Sequence, residues 1–406
     1  MKINLVMIVR NEERSLERCL KSAEHLVDDI IIADTGSADR TKEIARNAGA
    51  LVLEYEWTDD FSAARNFALD HSDGDWNLVL DADETLRPYT RKGLEERISR
   101  LRAAYGQAWM GAITRYDSYH DGDGISVSTS LIPRLLPRGV RYGGIIHEQP
   151  DTGIECYPLL LEADHDGYLS GDKGERNLPY LEKAARMYPQ DPYYRFQMAA
   201  TLRNMKRLKD SLDWFRCFYE KVPGQAGYRT EGILLYLYTL LDLDGPACLH
   251  EAGDIIRREK PVLGKRADFC FLCGLFYMKL VLSDVGQYRH LLPEIENSYL
   301  ECLRIGEHPE QGGVVGAGSF KAAYNLGLWY EVSGNGEKAA EYYRQSALAG
   351  FEPAARQLKE MSVKMSRRCI RYGFLSKPSI SSYKPGRNAD KQSKGNEMMK
   401  HIGDSL

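Results

Sequence analysis

The chain has 406 residues, 43% hydrophobic and 28% charged, with a formal net charge of −4. That balance fits two or three globular domains with substantial cores and excludes the basic surface of a nucleic-acid binder. The first apolar run, Leu5 to Val9, is cut off by Arg10-Asn11-Glu12-Glu13; it is too short to span a bilayer and lacks a small-residue cleavage site, so a cytoplasmic protein is expected.

Strands and helices alternate from the start. INLVMIV (3–9) reads as a buried strand, and Glu12 to Leu26 as a helix with Leu16, Cys19, Leu20 and Ala23 on one face. DDIIIAD (28–34) follows as a second strand and Asp39 to Ala48 as a second helix. Ala50 to Tyr55 is a third strand, Phe61 to Asp70 a third helix and Trp76 to Leu80 a fourth strand. Short links between alternating elements imply an α/β, Rossmann-like domain with a mostly parallel sheet covered on both faces. Ligands of such sheets bind beyond the carboxyl ends of the strands. Those ends are polar here: Arg10-Asn11-Glu12, Asp34-Thr35-Gly36-Ser37 and Asp81-Ala82-Asp83. Residues 109–168 are β-rich, with turn signals at His120–Gly124 and Gly143-Gly144, and are expected to finish the sheet and supply an acceptor-side wall.

From about residue 175 the pattern is helical only. Met198-Ala199, Leu202, Ser211, Phe215, Phe218 and Pro223 fall on the small and large core positions of a 34-residue tetratricopeptide frame, and Leu326-Gly327, Tyr330, Ala339 and Tyr343 do so again. Cys273-Gly274 and Tyr277 open a less regular copy. The division expected is an α/β domain over 1–170, tetratricopeptide-like repeats over 175–361 and a disordered tail over 362–406. That tail carries ten Lys/Arg against three Asp/Glu, while the rest holds 44 basic and 55 acidic residues. Eight scattered cysteines in so long a chain point to reduced thiols. The Cys270/Cys273 pair sits in an apolar helical stretch and reads as core.

The chemistry gathers at the strand ends. Asp81 and Asp83, two apart where a strand stops, suit a hard divalent cation; Mg²⁺ and Mn²⁺ take oxygen ligands and commonly share them with substrate phosphates. His165 in ADHDGY (163–168) is a candidate third ligand. Gly36 permits a turn costly to other residues, and Ser37 or Asp39 suits a helix cap. Asp34 is placed to accept a hydrogen bond from a nucleobase N–H.

MIVRNEE (7–13), IIIADTGSADRT (30–41), WTDDFSAARN (57–66) and NLVLDADE (77–84) together resemble the family 2 inverting glycosyltransferases of GT-A fold. The tryptophan-containing element and the helical C-terminus resemble the subgroup that includes S-glycosyltransferases of bacteriocin precursor peptides and relatives acting on lipopolysaccharide core. The resemblance covers about residues 1–170. It implies that Val9 and Glu12 lie beside the nucleotide and that Asp34 pairs with the uracil edge of UDP. Asp81 would face ribose or metal, and Asp83 would ligate Mg²⁺ or Mn²⁺ under the diphosphate. Arg65 and Asn66 match the subgroup's donor-side Ala-Arg-Asn; Arg65 has Asp59 and Asp60 as alternative partners. The family's usual base motif is missing, and GGIIHEQP (143–150) stands in for it, with Glu148 as base and His147 beside it.

The function expected is transfer from a UDP-sugar to a peptide or protein Cys or Ser, with lipopolysaccharide core or another glycan as the alternative acceptor. The repeats would hold the acceptor or mediate self-association. A nucleotidyltransferase would carry a glycine-rich loop after the first strand, where VRNEE has none. A retired, non-catalytic scaffold would have lost a carboxylate, and Asp34, Asp81 and Asp83 are all present.

Overall fold

The structure, a computed structural model, describes residues 1–106, 108–121, 124–167 and 173–373. In chain order the elements are β1 (Ile3–Val9), α1 (Leu16–Ala23), β2 (Asp29–Asp34), α2 (Thr41–Asn47), β3 (Leu51–Glu54), α3 (Phe61–Asp70), β4 (Trp76–Val79), β5 (Glu84–Leu86) and α4 (Arg91–Tyr105). Then come β6 (Trp109–Asp121), β7 (Gly124–Pro137), β8 (Tyr142–Gly143), β9 (Gln149–Pro150) and β10 (Glu155–His165). The helices that follow are α5 (Lys173–Met187), α6 (Pro192–Asn204), α7 (Leu208–Lys221), α8 (Arg229–Leu243), α9 (Pro246–Leu263), α10 (Ala267–Ser283), α11 (Val285–Tyr288) and α12 (Leu292–Ile305). A short β11 (Gly313–Val314) precedes α13 (Phe320–Val332), α14 (Gly336–Leu348) and α15 (Glu352–Gly373).

The chain forms two compact units. The first contains Met1–His120, Ile125–Thr239 and Pro309–Val314. Its sheet runs β3-β2-β1-β4-β7-β6-β10-β5, with β11 added to β7. The β3-β2-β1-β4 half is parallel, as the alternation predicts. Beyond it the sheet is mixed: β7 runs antiparallel to β4, β10 parallel to β6, and β5 antiparallel to β10. The aspartate-rich segment after β4 therefore does not simply end a strand; the chain turns there and re-enters the sheet as β5. The first helix is shorter than its apolar spacing suggests, because residues 10–15 form the loop beyond β1. Leu16, Cys19, Leu20 and Ala23 still form the buried face of α1.

The two faces of the sheet carry separate cores. One includes Ile3, Leu5, Met7, Leu16, Leu20, Leu78, Trp109 and Leu161; the other includes Val6, Ala33, Ala68, Val79, Leu136 and Tyr142. Alternate residues of β1 divide between them, as the two-residue period of a strand requires. A third cluster joins Ile145 and Ile146 of the β8–β9 connection to Leu181, Ala184, Tyr194, Met198 and Leu202 of α5 and α6. The first helices of the repeat region thus pack as part of the α/β unit.

The second unit contains Leu240–His308 and the chain from Val315. Its helices pair as the tetratricopeptide spacing predicts. Gly274 lies against the Tyr299 ring and Gly327 against Tyr343, so glycine at the small position lets paired helices approach closely. Met198, Ala199, Leu202, Ser211, Phe215 and Phe218 of the earlier copy, in the first unit, are all buried. Cys270 and Cys273 are free thiols buried on α10. The α15 backbone continues past Met361, where the repeat pattern ends. The rest of the basic tail expected over 362–406, and the turn residues Gly122 and Asp123, lie outside the described residues. Among the described residues no helix is long and apolar enough to cross a membrane.

Candidate active site

The ends of β1 and β2 are laced together. Thr35 donates to the Val9 carbonyl from its backbone N–H (3.0 Å) and its hydroxyl (3.2 Å). Asn11, at a left-handed φ of 56°, donates its N–H to Ser37 Oγ (2.9 Å) and accepts from Ala38 N–H (2.9 Å). Glu12 N–H donates to Thr41 Oγ1 (2.7 Å), and Asp39 accepts from Glu13 N–H (3.2 Å) and Thr41 N–H (3.0 Å). Ser37 therefore binds the neighbouring loop rather than capping α2. The Glu12 carboxylate accepts from Ser15 Oγ (2.6 Å).

Asp34 closes β2. Its Oδ1 accepts from Gly36 N–H (3.0 Å) and Ser37 N–H (2.8 Å), which shapes the turn, and Gly36 takes φ +103°. Its Oδ2 is buried and has no partner. Asp34 and Gly36 line a pocket of about 380 Å³ with Lys42, Glu54, Tyr55 and Glu56. A lone buried acceptor beside such a pocket is suited to one N–H of a flat heterocycle.

Three arginines and five carboxylates meet around the Asp81–Asp83 turn. Arg65 Nη2 of α3 lies 2.6 Å from Asp81 Oδ1, and its Nε pairs with Glu148. Arg134 Nη2 of β7 lies 2.6 Å from Asp81 Oδ2 and pairs also with Glu84. Arg115 of β6 reaches Glu84 (3.3 Å) and Asp117 (2.7 Å). Burial opposes charge on Asp81, yet Arg134 and Arg65 hold its carboxyl well below the usual range. Burial likewise opposes the charge on Arg65 and Arg134, and their carboxylates overcome it. The Arg65 guanidinium also covers the Tyr142 ring at 5.5 Å. Arg65 Nη1, Arg134 Nε and Tyr142 Oη are all buried without a partner.

Asp83 stands apart from that cage. Its Oδ2 is 3.4 Å from Nε2 of His165, whose Nδ1 lies 2.7 Å from Asp117 Oδ1. Strand register produces the arrangement: on β10, His165 is paired with Asp117 of β6 on one side and Glu84 of β5 on the other. Burial disfavours charge on His165, but Asp117 and Asp83 outweigh it and raise its pKa. A carboxylate fixing one imidazole nitrogen while the other faces a second carboxylate is the usual outer support of a metal-ligating histidine. The 3.4 Å separation also fits two adjacent ligands of one ion about 2.1 Å from each.

The donor set therefore fits Mg²⁺ or Mn²⁺ with two protein ligands, Asp83 and His165. Asp81, expected to share the ion, has each oxygen in an ion pair with an arginine. No group of three ligating side chains occurs among the described residues. Asp81, Asp83, Glu84, Asp117 and Glu148 outnumber Arg65, Arg115 and Arg134 by two charges when His165 is neutral. One divalent ion would balance them.

The remaining expected residues divide. Glu148 is brought to Asp81 through Arg65, which pairs with these two rather than with Asp59 or Asp60. His147 adopts φ +49°; its Nε2 is buried without a partner, and burial, reinforced by Arg115 and Arg176, pushes its pKa down to about 4. Asn66 binds β8: its amide donates to the Tyr142 carbonyl (2.9 Å) and accepts from Tyr142 N–H (2.8 Å), fixing β8 to α3. Asp60 caps α3 by accepting from Ala63 N–H (3.0 Å). Asp59 accepts from Trp57 Nε1 (2.9 Å) and Tyr180 Oη (3.2 Å), so the WTDDF segment anchors α5. Sequence reasoning missed Arg115, Asp117 and Arg134. Their signal was charge on the inner face of strands in a β-rich segment.

The sequence model for glycosyl transferase family 2 matches residues 5–150. With the strand order and site described above, residues 5–150 form a family 2 glycosyltransferase domain of GT-A fold. It is 56% identical over 286 residues to a TPR repeat-containing protein of Synechococcus elongatus, covering 63% of this chain and 68% of that one. It is 25% identical over 269 residues to the SPbeta prophage-derived glycosyltransferase SunS of Bacillus subtilis, covering 63% of this chain and 62% of SunS. A solved glucosyl-3-phosphoglycerate synthase of Mycobacterium tuberculosis, in complex with Mg²⁺ and UDP, is 22% identical over 29% of this chain and 43% of its own, with a TM-score of 0.23. That superposition is too loose to carry a comparison of sites.

Proposed function

We propose that the protein is a metal-dependent, inverting glycosyltransferase that moves a sugar from a UDP-sugar to a cysteine or serine side chain of a peptide or protein. The observation that carries this reading is the set of unpaired buried polar atoms at the strand ends. Arg65 Nη1, Arg134 Nε and Tyr142 Oη are donors awaiting an anion, and Asp34 Oδ2 is an acceptor awaiting an N–H. Leaving such a buried atom without a partner costs about 1–3 kcal/mol, a cost that a bound ligand would remove. A nucleoside diphosphate offers an N–H at the uracil edge and oxygens at the diphosphate.

In this reading Asp34 holds the base, with Val9 and Glu12 supporting the loop beside it. Asp83 and His165 hold the ion, and Asp117 keeps His165 Nε2 turned toward it. When bound, Mg²⁺ or Mn²⁺ would neutralise the charge that grows on the departing diphosphate. Arg65 and Arg134 contribute further positive charge in a site largely shielded from water. Asp81 and Glu148 keep those guanidiniums in place. The α5 and α6 helices, packed against the connection that carries His147 and Glu148, support an acceptor held on the helical side.

Calorimetry of UDP binding with and without Mn²⁺, on wild type and Asp83→Ala, tests the reading. Wild type is expected to bind UDP more tightly with Mn²⁺, and Asp83→Ala to lose that gain. UDP binding indifferent to the metal, or absent, would refute it.

A further inference from the structure

Asp34 Oδ2 can accept from one N–H of a nucleobase, which leaves the carbonyl next to that N–H unread. Lys42, the second residue of α2, lines the same pocket. We propose that Lys42 donates a hydrogen bond to the C4 carbonyl of the donor's uracil and so sets the choice of base; this deepens the transferase reading above and rests on it.

The position follows from register and packing within the first unit. Asp34 and Glu54 are partners in the parallel pairing of β2 with β3, and Tyr55 N–H donates to the Asp34 carbonyl (2.9 Å). Ile32 and Val52, two residues earlier on each strand, face the core that Ile44 and Ala45 of α2 also join. Residues two apart on a strand share a face, so Asp34 and Glu54 project on the side that α2 covers. Lys42 reaches down from that helix: its Nζ lies 3.4 Å from Glu54 Oε1. The pair is uneven. The Lys42 side chain is 30% exposed and that of Glu54 74%, so the ammonium is held at the pocket wall while its partner stands in water. An ammonium carries three donors, and one loose contact with Glu54 leaves it able to serve a ligand.

Strand order decides which carbonyl Lys42 meets. The sheet runs β3-β2-β1-β4, so the Asp81–Asp83 cage after β4 and the Lys42–Glu54 pair beside β3 lie on opposite sides of Asp34. Ribose and diphosphate run from the base toward the cage. In uracil the N3–H sits between two carbonyls. The C2 carbonyl adjoins the nitrogen that carries the ribose, and the C4 carbonyl lies on the far side. With N3–H on Asp34 Oδ2, C2 falls toward the ribose and the cage, and C4 toward Lys42. Cytosine reverses both groups: its C4 amine sets a donor against the ammonium, and its bare N3 sets an acceptor against Asp34. A site built to hydrogen-bond a group rejects an analogue that lacks it, so Asp34 and Lys42 together discriminate at two adjacent atoms of the ring.

Sulfur is a weak hydrogen-bond acceptor, so exchanging one carbonyl oxygen of uracil for sulfur isolates the contact made there. Calorimetry with Mn²⁺ measures UDP, 4-thio-UDP and 2-thio-UDP on wild type and on Lys42→Met, which keeps the length of the side chain and drops its charge. Wild type is expected to bind 4-thio-UDP about tenfold more weakly than UDP. Lys42→Met is expected to lose about tenfold for UDP and to bind UDP and 4-thio-UDP alike, a result that a lysine serving only its ion pair with Glu54 would not give. The ratio of UDP to 2-thio-UDP affinity should be the same in both proteins. A 4-thio penalty that survives in Lys42→Met, or a change in the 2-thio ratio instead, would overturn the assignment. So would equal binding of UDP and 4-thio-UDP by wild type, a measurement that needs no variant. Those results come from a protein that binds UDP and leave the transferase reading standing; failure of wild type to bind UDP would overturn both together.

Discussion

His165 Nδ1 lies 2.7 Å from Asp117 Oδ1, across the parallel pairing of β10 with β6. The pairing fixes the imidazole so that Nε2 faces Asp83. Asp117→Asn keeps the size of the side chain but removes the charge that holds the ring. It is expected to weaken Mn²⁺ binding in the presence of UDP by about 10- to 100-fold, measured by calorimetry, with a smaller effect on UDP alone.

Asp34→Asn tests the nucleobase pocket without dismantling its turn. The amide oxygen can still accept from Gly36 and Ser37, while Oδ2 becomes an NH₂ donor. Opposite uracil, a donor would then face the N3–H donor. UDP affinity is expected to fall about tenfold, and CDP, whose base has an acceptor at that position, should gain relative to UDP in competition binding.

Arg65 joins two carboxylates inside the cage. Arg65→Met leaves Asp81 and Glu148 without that partner, at a cost of about 3–5 kcal/mol in urea unfolding. Arg65→Lys is expected to recover only part of this, because a lysine cannot serve Asp81 and Glu148 from one planar fork.

His147 gives stability a specific pH dependence. Its pKa is about 4 in the folded protein against 6.5 ordinarily, so between those values the unfolded chain binds the extra proton. Stability contributed by the neutral ring is complete above the unfolded value and falls as pH drops through the window, by up to about 1.4 kcal/mol per pH unit. His147→Asn tolerates the left-handed backbone and should flatten that slope in urea melts from pH 7 to pH 4.

Gly327 tests the repeat. A Cβ there would lie 2.4 Å from the Tyr343 ring, which is fully buried and donates its hydroxyl to Glu331 (2.9 Å), so it has little room to yield. Gly327→Ala is expected to destabilise the second unit by about 1–3 kcal/mol, seen as an earlier helical transition on thermal melting.

Much of this organisation can be read in the chain. Apolar runs such as INLVMIV locate buried strands because burial on both faces demands unbroken hydrophobicity, and the carboxyl ends of those strands then mark a site. The tetratricopeptide positions are readable because a small residue facing a large one is a local requirement repeated at fixed spacing. The partners of charged residues are not readable. Arg65 meets Asp81 and Glu148 only after α3, the β4–β5 turn and the β8–β9 connection assemble, and Asn66 next to it binds the Tyr142 backbone. Asp117 looks like an ordinary strand residue until register sets it opposite His165, and Arg134 does until the assembled sheet brings its guanidinium to Asp81 and Glu84.

The pairing of Gly313 and Val314 with Thr129 and Ser128 has a consequence for how the protein is made. The sheet receives its last strand from chain synthesised 184 residues after the edge that it joins. At ribosomal speeds of about 5–20 residues per second, that edge waits roughly 10–40 s for its neighbour. A nascent chain stalled or truncated in the intervening helices would emerge with an open β edge, and protection of that edge during translation becomes a requirement for soluble expression.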